Sequence, residues 1–527
     1  MGNMYSEEMV EFLKKNSLYK EYNPKAYIRK MVLQKELGYI DESIKTTMSV
    51  KPSEKSIKEH KGMKFSIEPS YGVVVCIRNT NEDYLRQMIE SVLSQTYEKL
   101  TLYIVDYSDR AHAYIANVCT DYDDTRVVYR KLKDGQSVCW DYFVCDYIVF
   151  MNEVDALSPI ALTECTKAIE QTNADLLYAD SAVFKKKKYN VSKCILKPDY
   201  APEDLDTYNY IGDFWVVKRL NIDMSSEFAL NSQSGASYEL LKSMTEFSKQ
   251  IFHINKVLYL ENILKNYKLK INKCGKMPDD KPLVSIIIRS ADDIEALSRV
   301  VNSILMMTTY QNYEIIIVES SVGGSKNALV YRYYKLLSGI KNVRFLRWTG
   351  EENVSKIYNY AATKVSGDYI VFIDDFMEIS SYEWLEEMLW CASKPRTGLV
   401  SPKVYRNVND MEYCGAVFNF KRKNVFKSQT DKNMDFTRNV SLASKYCCMI
   451  NKQKFFEIGG FDESFSKTAY VADLSFSAMA NGYYNVYTSY ANVIAYGDKE
   501  KSDADTIKKI KEKWSGQFPY DRYNVKK

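Results

Sequence analysis

The pentapeptide Asp-Tyr-Ile-Val-Phe stands at Asp146–Phe150 and again at Asp368–Phe372, and each copy runs into carboxylates. Asn152, Glu153 and Asp155 follow the first copy; Asp374, Asp375 and Glu378 follow the second. Oxygen donors at the end of a buried strand can hold a divalent cation or face a phosphorylated ligand. Two such ends predict two versions of one ligand-binding architecture.

The elements that carry these acids repeat as well. An apolar run precedes each copy, Val73–Ile77 and Leu283–Ile288, and each is followed by an arginine, Arg78 and Arg289. A helical pattern comes next and closes in related text, Ser91–Tyr97 and Asn302–Tyr310. A second apolar run, Leu102–Val105 and Ile315–Val318, then ends in Asp106 and Glu319. A period of roughly 220 residues is far too long for a solenoid and predicts a tandem domain duplication.

Within each repeat, Val- and Ile-rich runs alternate with helical patterns, which predicts a largely parallel sheet covered by helices. Ser380 and Glu383 read as a capping box ahead of an apolar face of Trp384, Leu385, Met388 and Leu389. Ser158 and Pro159 read as the start of a helix carrying Leu162, Cys165 and Ile169. Open sheets of this kind bind ligands beyond the carboxyl ends of their strands, where Asp106, Glu319 and both acidic clusters fall.

The chain has 527 residues, enough for two or three domains. Its division is expected at 1–64, a small helical N-terminal segment with a linker, then 65–270 and 271–527, one repeat each. Met9, Phe12 and Leu13 keep helical spacing, as do Ile28, Met31, Val32 and Leu37. Lys51–Lys64 reads as linker or solvated surface, and Gly275 and Pro278 mark the passage between repeats. A net charge of only +4 argues against a nucleic-acid partner. No apolar run reaches the length of a transmembrane span and no signal-like core opens the chain. The eleven cysteines lack metal-ligand spacing and read as reduced thiols. The expected location is cytoplasmic, with peripheral membrane contact as the alternative. The run Lys185–Lys188 reads as a solvated hairpin.

The second repeat resembles a family-2 glycosyltransferase domain of the rhamnosyltransferase-like kind. The matching text is Lys281–Arg289, Thr308–Glu319, Glu352–Ala362, Gly367–Asp375, Trp384–Met388, Ile458–Phe465, Asp473–Phe476 and Gly482–Ala491. The first repeat resembles the same family through Ser91–Tyr97, Asp175–Asp180, Lys197–Leu205, Asn209–Gly212 and His253–Leu260. The resemblance implies an α/β fold of two tandem GT-A (nucleotide-diphospho-sugar transferase-like) domains. It also implies a nucleotide-sugar donor, a glycan acceptor, a Mg or Mn ion held by the last acid of a DXD motif, a carboxylate base near a helix start and a late histidine.

Carried over residue by residue, the resemblance implies altered sites. In the second repeat Asp374 matches the first acid of DXD, while the metal-ligand position falls on Phe376, the base on Val471 and the late histidine on Ala495. In the first repeat the DXD becomes Asn152-Glu153-Val154, the base position falls on Ser237 beside Glu239, and the late histidine on Leu260. The three histidines, His60, His112 and His253, match no ligand position. Residues left for a role are Asp106, Glu319, Arg289, Asp374 and Asp375 toward the nucleotide, with Asp375 and Glu378 toward a cation. Asp473, Asp462 and Glu463 remain as bases. Asn359 is expected to hold a loop over the site, and Gly459 and Gly460 to serve a tight turn.

The expected function is a glycosyltransferase-like protein of cell-surface glycan or polysaccharide assembly, with weak or lost catalysis, a pseudoenzyme. One alternative is an active inverting transferase with an atypical second site. Another is a scaffold for other glycosyltransferases.

Overall fold

The computed structural model describes residues 7–17, 52–78, 80–108, 114–133, 136, 138, 140–184, 191–221, 238–262, 280–320, 328–407, 410–422, 424–430, 436–465, 469–496 and 504–524. The expected helical residues Ile28, Met31, Val32 and Leu37 lie outside them, as do His112, Lys185–Lys188, Ser237, Gly275 and Pro278.

The first repeat contributes β1 (Tyr71–Ile77), β2 (Leu100–Asp106), β3 (Val127–Lys131), β4 (Tyr147–Asn152), β5 (Ala156–Leu157), β6 (Leu176–Phe184), β7 (Val191–Ile195), β8 (Trp215–Lys218) and β9 (Ile251–Asn262). They pair in the order β3-β2-β1-β4-β8-β6-β9-β5, with β7 on β6. The second repeat contributes β10 (Val284–Ser290), β11 (Tyr313–Glu319), β12 (Val343–Arg347), β13 (Tyr369–Asp374), β14 (Met377–Ile379) and β15 (Thr397–Asn407). It continues with β16 (Asp410–Tyr413), β17 (Ala416–Phe418), β18 (Phe426–Ser428), β19 (Arg438–Val440), β20 (Cys447–Asn451) and β21 (Tyr484–Ala495). Its main sheet runs β12-β11-β10-β13-β20-β15-β21-β14. The two orders correspond strand for strand along these paths, so the duplication is of whole domains.

The expectation of largely parallel sheets holds only for the leading half of each. β1, β2, β3 and β4 are mutually parallel, as are β10, β11, β12 and β13. Then β8 and β20 enter antiparallel beside β4 and β13. Apolar runs report burial on both faces of a strand and carry no information about its direction.

Helices bury apolar stripes on these sheets. Glu82–Leu93, capped by Asn81, buries Leu85, Met88, Ile89 and Val92. Ile294–Met307, capped by Asp293, buries Leu297, Val300, Val301 and Ile304. Each helix also carries a buried serine that accepts a strand N–H: Ser91 Oγ from Leu157 and Ser303 Oγ from Ile379. These bonds satisfy the backbone of the short strands β5 and β14, which follow the acidic clusters. The helix Ala161–Thr172 buries Leu162, Cys165 and Ile169 as expected. The capping box at Ser380 and Glu383 does not form. The helix begins at Trp384, its cap residue Glu383 makes no side-chain cap bond, and the Ser380 N–H is drawn to Asn492 O on β21.

The described residues divide into two compact units: helix Glu7–Lys15 goes with 280–524, while 52–262 form the other. Phe12, fully buried, stacks on Tyr333 at 6.0 Å with the Arg332 guanidinium 5.4 Å from its ring. The Lys-rich stretch read as linker contains a helix, Glu54–Lys61, capped by Ser53. Its His60 bonds Glu164 at 2.8 Å within the unit of residues 52–262. Among the described residues no helix is long and apolar enough to cross a membrane, and all described cysteines are free.

Candidate functional site

The end of each central strand is built on one plan. Glu153 Oε2 accepts the N–H of Arg78 at 2.7 Å, and Asp375 Oδ2 accepts the N–H of Ala291 at 2.9 Å. In both domains, therefore, the second residue of the cluster ties down the chain leaving the first strand. Strand register shows the same correspondence: Ile77 pairs with Asp106 and Ser290 with Glu319. Arg78 thus corresponds to Ala291, and the two arginines that look equivalent in the text are not. Arg289 instead pairs with Asp374, at the place where the first domain pairs Cys76 with Asn152.

In the second domain this exchange puts charge into a mostly buried setting. Burial raises Asp374 to about 7, with Asp375 adding to the rise and Arg289, Lys445 and a hydrogen bond from Tyr358 opposing it. Burial also raises Asp375, against its hydrogen bond from Ala291 and the nearby Arg289. Burial alone would lower Arg289, but Tyr358, Asp374 and Asp375 outweigh it and its guanidinium stays charged. Its Nε is buried with no hydrogen-bond partner. A buried donor left unmade costs about 1–3 kcal/mol, so such groups mark places where a ligand can complete the bonding.

At the corresponding strand end of the first domain the acids are bonded within the domain. Asp106 accepts from Ser108 N at 2.8 Å and from Tyr129 at 2.7 Å, and Lys131 lies 3.1 Å away. Burial would raise this carboxyl, but those bonds outweigh it and hold it below its ordinary value. Asp155 accepts from Tyr259 at 2.5 Å and from Asn262 N at 2.9 Å. Glu319, the counterpart of Asp106, is half-buried with Arg347 at 3.9 Å.

The remaining candidates are dispersed. Glu378 is fully buried on β14 and accepts from Tyr496 at 2.7 Å, with Arg299 stacked over that tyrosine. Phe376 packs edge-on against Tyr446. Asp473 is buried under the helix Ala504–Trp514, accepting from Trp514 Nε1 at 2.7 Å and pairing with Lys513 at 2.9 Å. Burial raises it despite those partners. Asp462 shares Lys513 at 2.7 Å. Glu463 meets Asn359 Nδ2 at 3.2 Å. Asn359 clasps Phe461 at both its N–H (3.0 Å) and carbonyl (2.8 Å), and Gly459 and Gly460 turn beside it with φ of +91° and +68°. Asn359 thus holds this loop and the two glycines form its turn.

Ser158 N bonds Leu258 O, and Ser380 N bonds Asn492 O. Leu260 and Ile494 are therefore counterparts, pairing with Ala156 and Glu378. The counterpart of Ala495 is Glu261, one residue beyond the Leu260 taken from the text.

The residues present do not fit a divalent cation in the manner the resemblance implies. Phe376 offers no donor, Asp375 is engaged with Ala291, Glu378 with Tyr496, and Arg289 and Lys445 already bring positive charge to Asp374. Among the described residues no group of three or more His, Cys, Asp or Glu gathers as a cation site. Sequence reasoning missed Lys445. Its only signal is its place two residues before β20, whose return beside β13 is a matter of topology.

Residues 72–226 and 285–459 match the family described as Glycosyl transferase family 2. Over 505 residues the chain is 25% identical to "Uncharacterized protein y4gI" of Sinorhizobium fredii (strain NBRC 101917 / NGR234), covering 84% of this chain and 54% of that protein. It is 23% identical over 503 residues to "O-antigen biosynthesis protein RfbC" of Myxococcus xanthus, covering 84% of this chain and 38% of that one. The chain thus spans about half, or less, of the length of these relatives. Among solved structures, GalNAc-T7 with UDP, GalNAc and Mn2+ aligns with a TM-score of 0.39 at 16% identity, covering 49% of this chain and 50% of that one. With these two regions matched, together more than half of its length, the chain belongs to glycosyl transferase family 2.

Proposed function

We propose that this protein serves in surface polysaccharide or glycan assembly. On this reading the domain of residues 271–527 binds a sugar nucleotide or glycan with weak or lost catalysis, and the domain of residues 65–270 is structural. The observation that carries the reading is the contrast between the two strand ends. Asp106, Glu153 and Asp155 are each bonded within the first domain. In the second, Arg289 Nε is buried and unpartnered beside two carboxyls that burial raises. Perturbed groups converging at strand ends are the usual mark of a site retained for a ligand.

Two features support weak or lost catalysis. Val471 has no proton acceptor at the expected base position, and Asp473 beside it is held by Lys513 and Trp514. Loss of a positioned base alone costs roughly 10²–10⁴ in rate. The name of the Myxococcus relative supports the pathway.

The test is thermal unfolding of the full chain with UDP, dTDP and GDP, alongside a turnover assay on the corresponding nucleotide sugars with Mn or Mg. Stabilisation without turnover is the expected result. Rapid transfer abolished by Asp374→Asn would establish the active-enzyme alternative. No response to any nucleotide, with other transferases co-purifying, would establish the scaffold.

A further inference from the structure

We propose that Arg289 and Lys445 form a metal-free diphosphate subsite at the end of β13, taking the place of the divalent cation. The inference deepens the nucleotide-binding reading of the second domain and rests on it.

The argument begins with sheet order. β13 lies between β10 and β20. On one side Arg289 is the register partner of Asp374. On the other, Ile373 pairs with Cys447, and the Asp374 N–H reaches Tyr446 O at 3.2 Å. Lys445 immediately precedes that residue, so a cation on β10 and one on the chain entering β20 flank one strand end. Each acts on the Asp374 carboxyl. Lys445 Nζ also lies 5.3 Å from the ring of Tyr446.

The first domain supplies an internal comparison. Phe150 pairs with Trp215 where Phe372 pairs with Cys448. Counting back three residues from each, the counterpart of Lys445 is Gly212. The triad Arg289, Asp374 and Lys445 is therefore matched by the uncharged Cys76, Asn152 and Gly212, and the lysine nearest that last position, Lys197, is spent on the carbonyl of Ile211. Asp374 and Asp375 both lie near Arg289, but burial raises both carboxyls, so the two cations are not fully balanced by ionised acids at a strand end where ligands of α/β sheets bind. A guanidinium offers a fork of donors that matches phosphate oxygens, an ammonium adds a point charge, and the buried Nε of Arg289 has a bond still to make.

The test is calorimetric titration of the full chain with UDP, uridine and inorganic pyrophosphate, each in EDTA and again with Mn. UDP and pyrophosphate are expected to bind in EDTA, and uridine far more weakly. Arg289→Gln and Lys445→Gln should each weaken pyrophosphate by roughly tenfold or more, while Arg289→Lys recovers part of the loss. Arg78→Gln, the arginine of the first domain, should leave binding unchanged. If Arg289→Gln fails to fold, Lys445→Gln and the EDTA titration decide the matter. Binding of UDP that requires Mn, or that survives both Gln substitutions, overturns the subsite and leaves the nucleotide reading standing. Failure of every nucleotide to bind overturns both.

Discussion

Arg289 and Asp374 are register partners on the parallel strands β10 and β13, and in the first domain Cys76 and Asn152 occupy the same two places. One neutral pair and one charged pair therefore stand at the same place on two copies of one sheet, and only the charged pair carries a buried guanidinium nitrogen without a partner.

The carboxylate of Asp374 competes with any anion for Arg289 and Lys445. Asp374→Asn keeps the shape and removes the competitor. Pyrophosphate binding should tighten by roughly tenfold, about 1.4 kcal/mol, as read by calorimetry. The unliganded melting temperature should rise as well, because burial penalises the charge that is removed. Weaker binding in this variant would mean that Asp374 contacts the ligand directly.

Asp473 is clamped by Lys513 and Trp514 from the helix Ala504–Trp514. Lys513→Met leaves the carboxylate without its counter-charge and should cost about 2 kcal/mol in denaturant unfolding at neutral pH. Because the folded carboxyl of Asp473 is raised, it takes up a proton readily on acidification, and the penalty should shrink as pH falls. A penalty independent of pH would show that Lys513 acts through packing alone.

His253 lies between Asp180 at 2.9 Å and Asp199 at 3.2 Å, stacked on Tyr178. Burial opposes its protonation, but the two carboxylates outweigh burial and raise its pKa. A raised folded value means that the stabilisation is complete below the unfolded pKa of about 6.5 and is lost as pH rises through the folded one. His253→Asn should therefore destabilise the first domain most in mild acid, with the gap to the parent protein narrowing toward alkaline pH. Urea melts across that range measure it.

Phe12 anchors the helix Glu7–Lys15 on Tyr333. Phe12→Ala should cost about 3 kcal/mol, and the loss should appear as faster hydrogen exchange in the helix Ala328–Leu337 while the core of the first domain is unchanged. Equal loosening in both domains would contradict the packing.

The sequence by itself determined the duplication, the family, and the arrival of acids at strand ends. These are properties of local text, because strand burial, turn chemistry and motif order are written in contiguous residues. It also determined that Gly459 and Gly460 shape a turn, whereas the bonds by which Asn359 holds that turn at Phe461 join residues far apart in the chain. Other features belonged to the tertiary structure. Text alone matched Arg78 with Arg289, but register assigns Arg289 to Cys76, because an alignment of short apolar runs is unchanged by small shifts whereas cross-strand hydrogen bonding is not. Lys445 joins the site only because β20 returns antiparallel beside β13. The burial of Asp473 and Glu378 depends on Trp514 and Tyr496, residues distant in the chain. Charges act through space, and only the folded sheet decides which of them are neighbours.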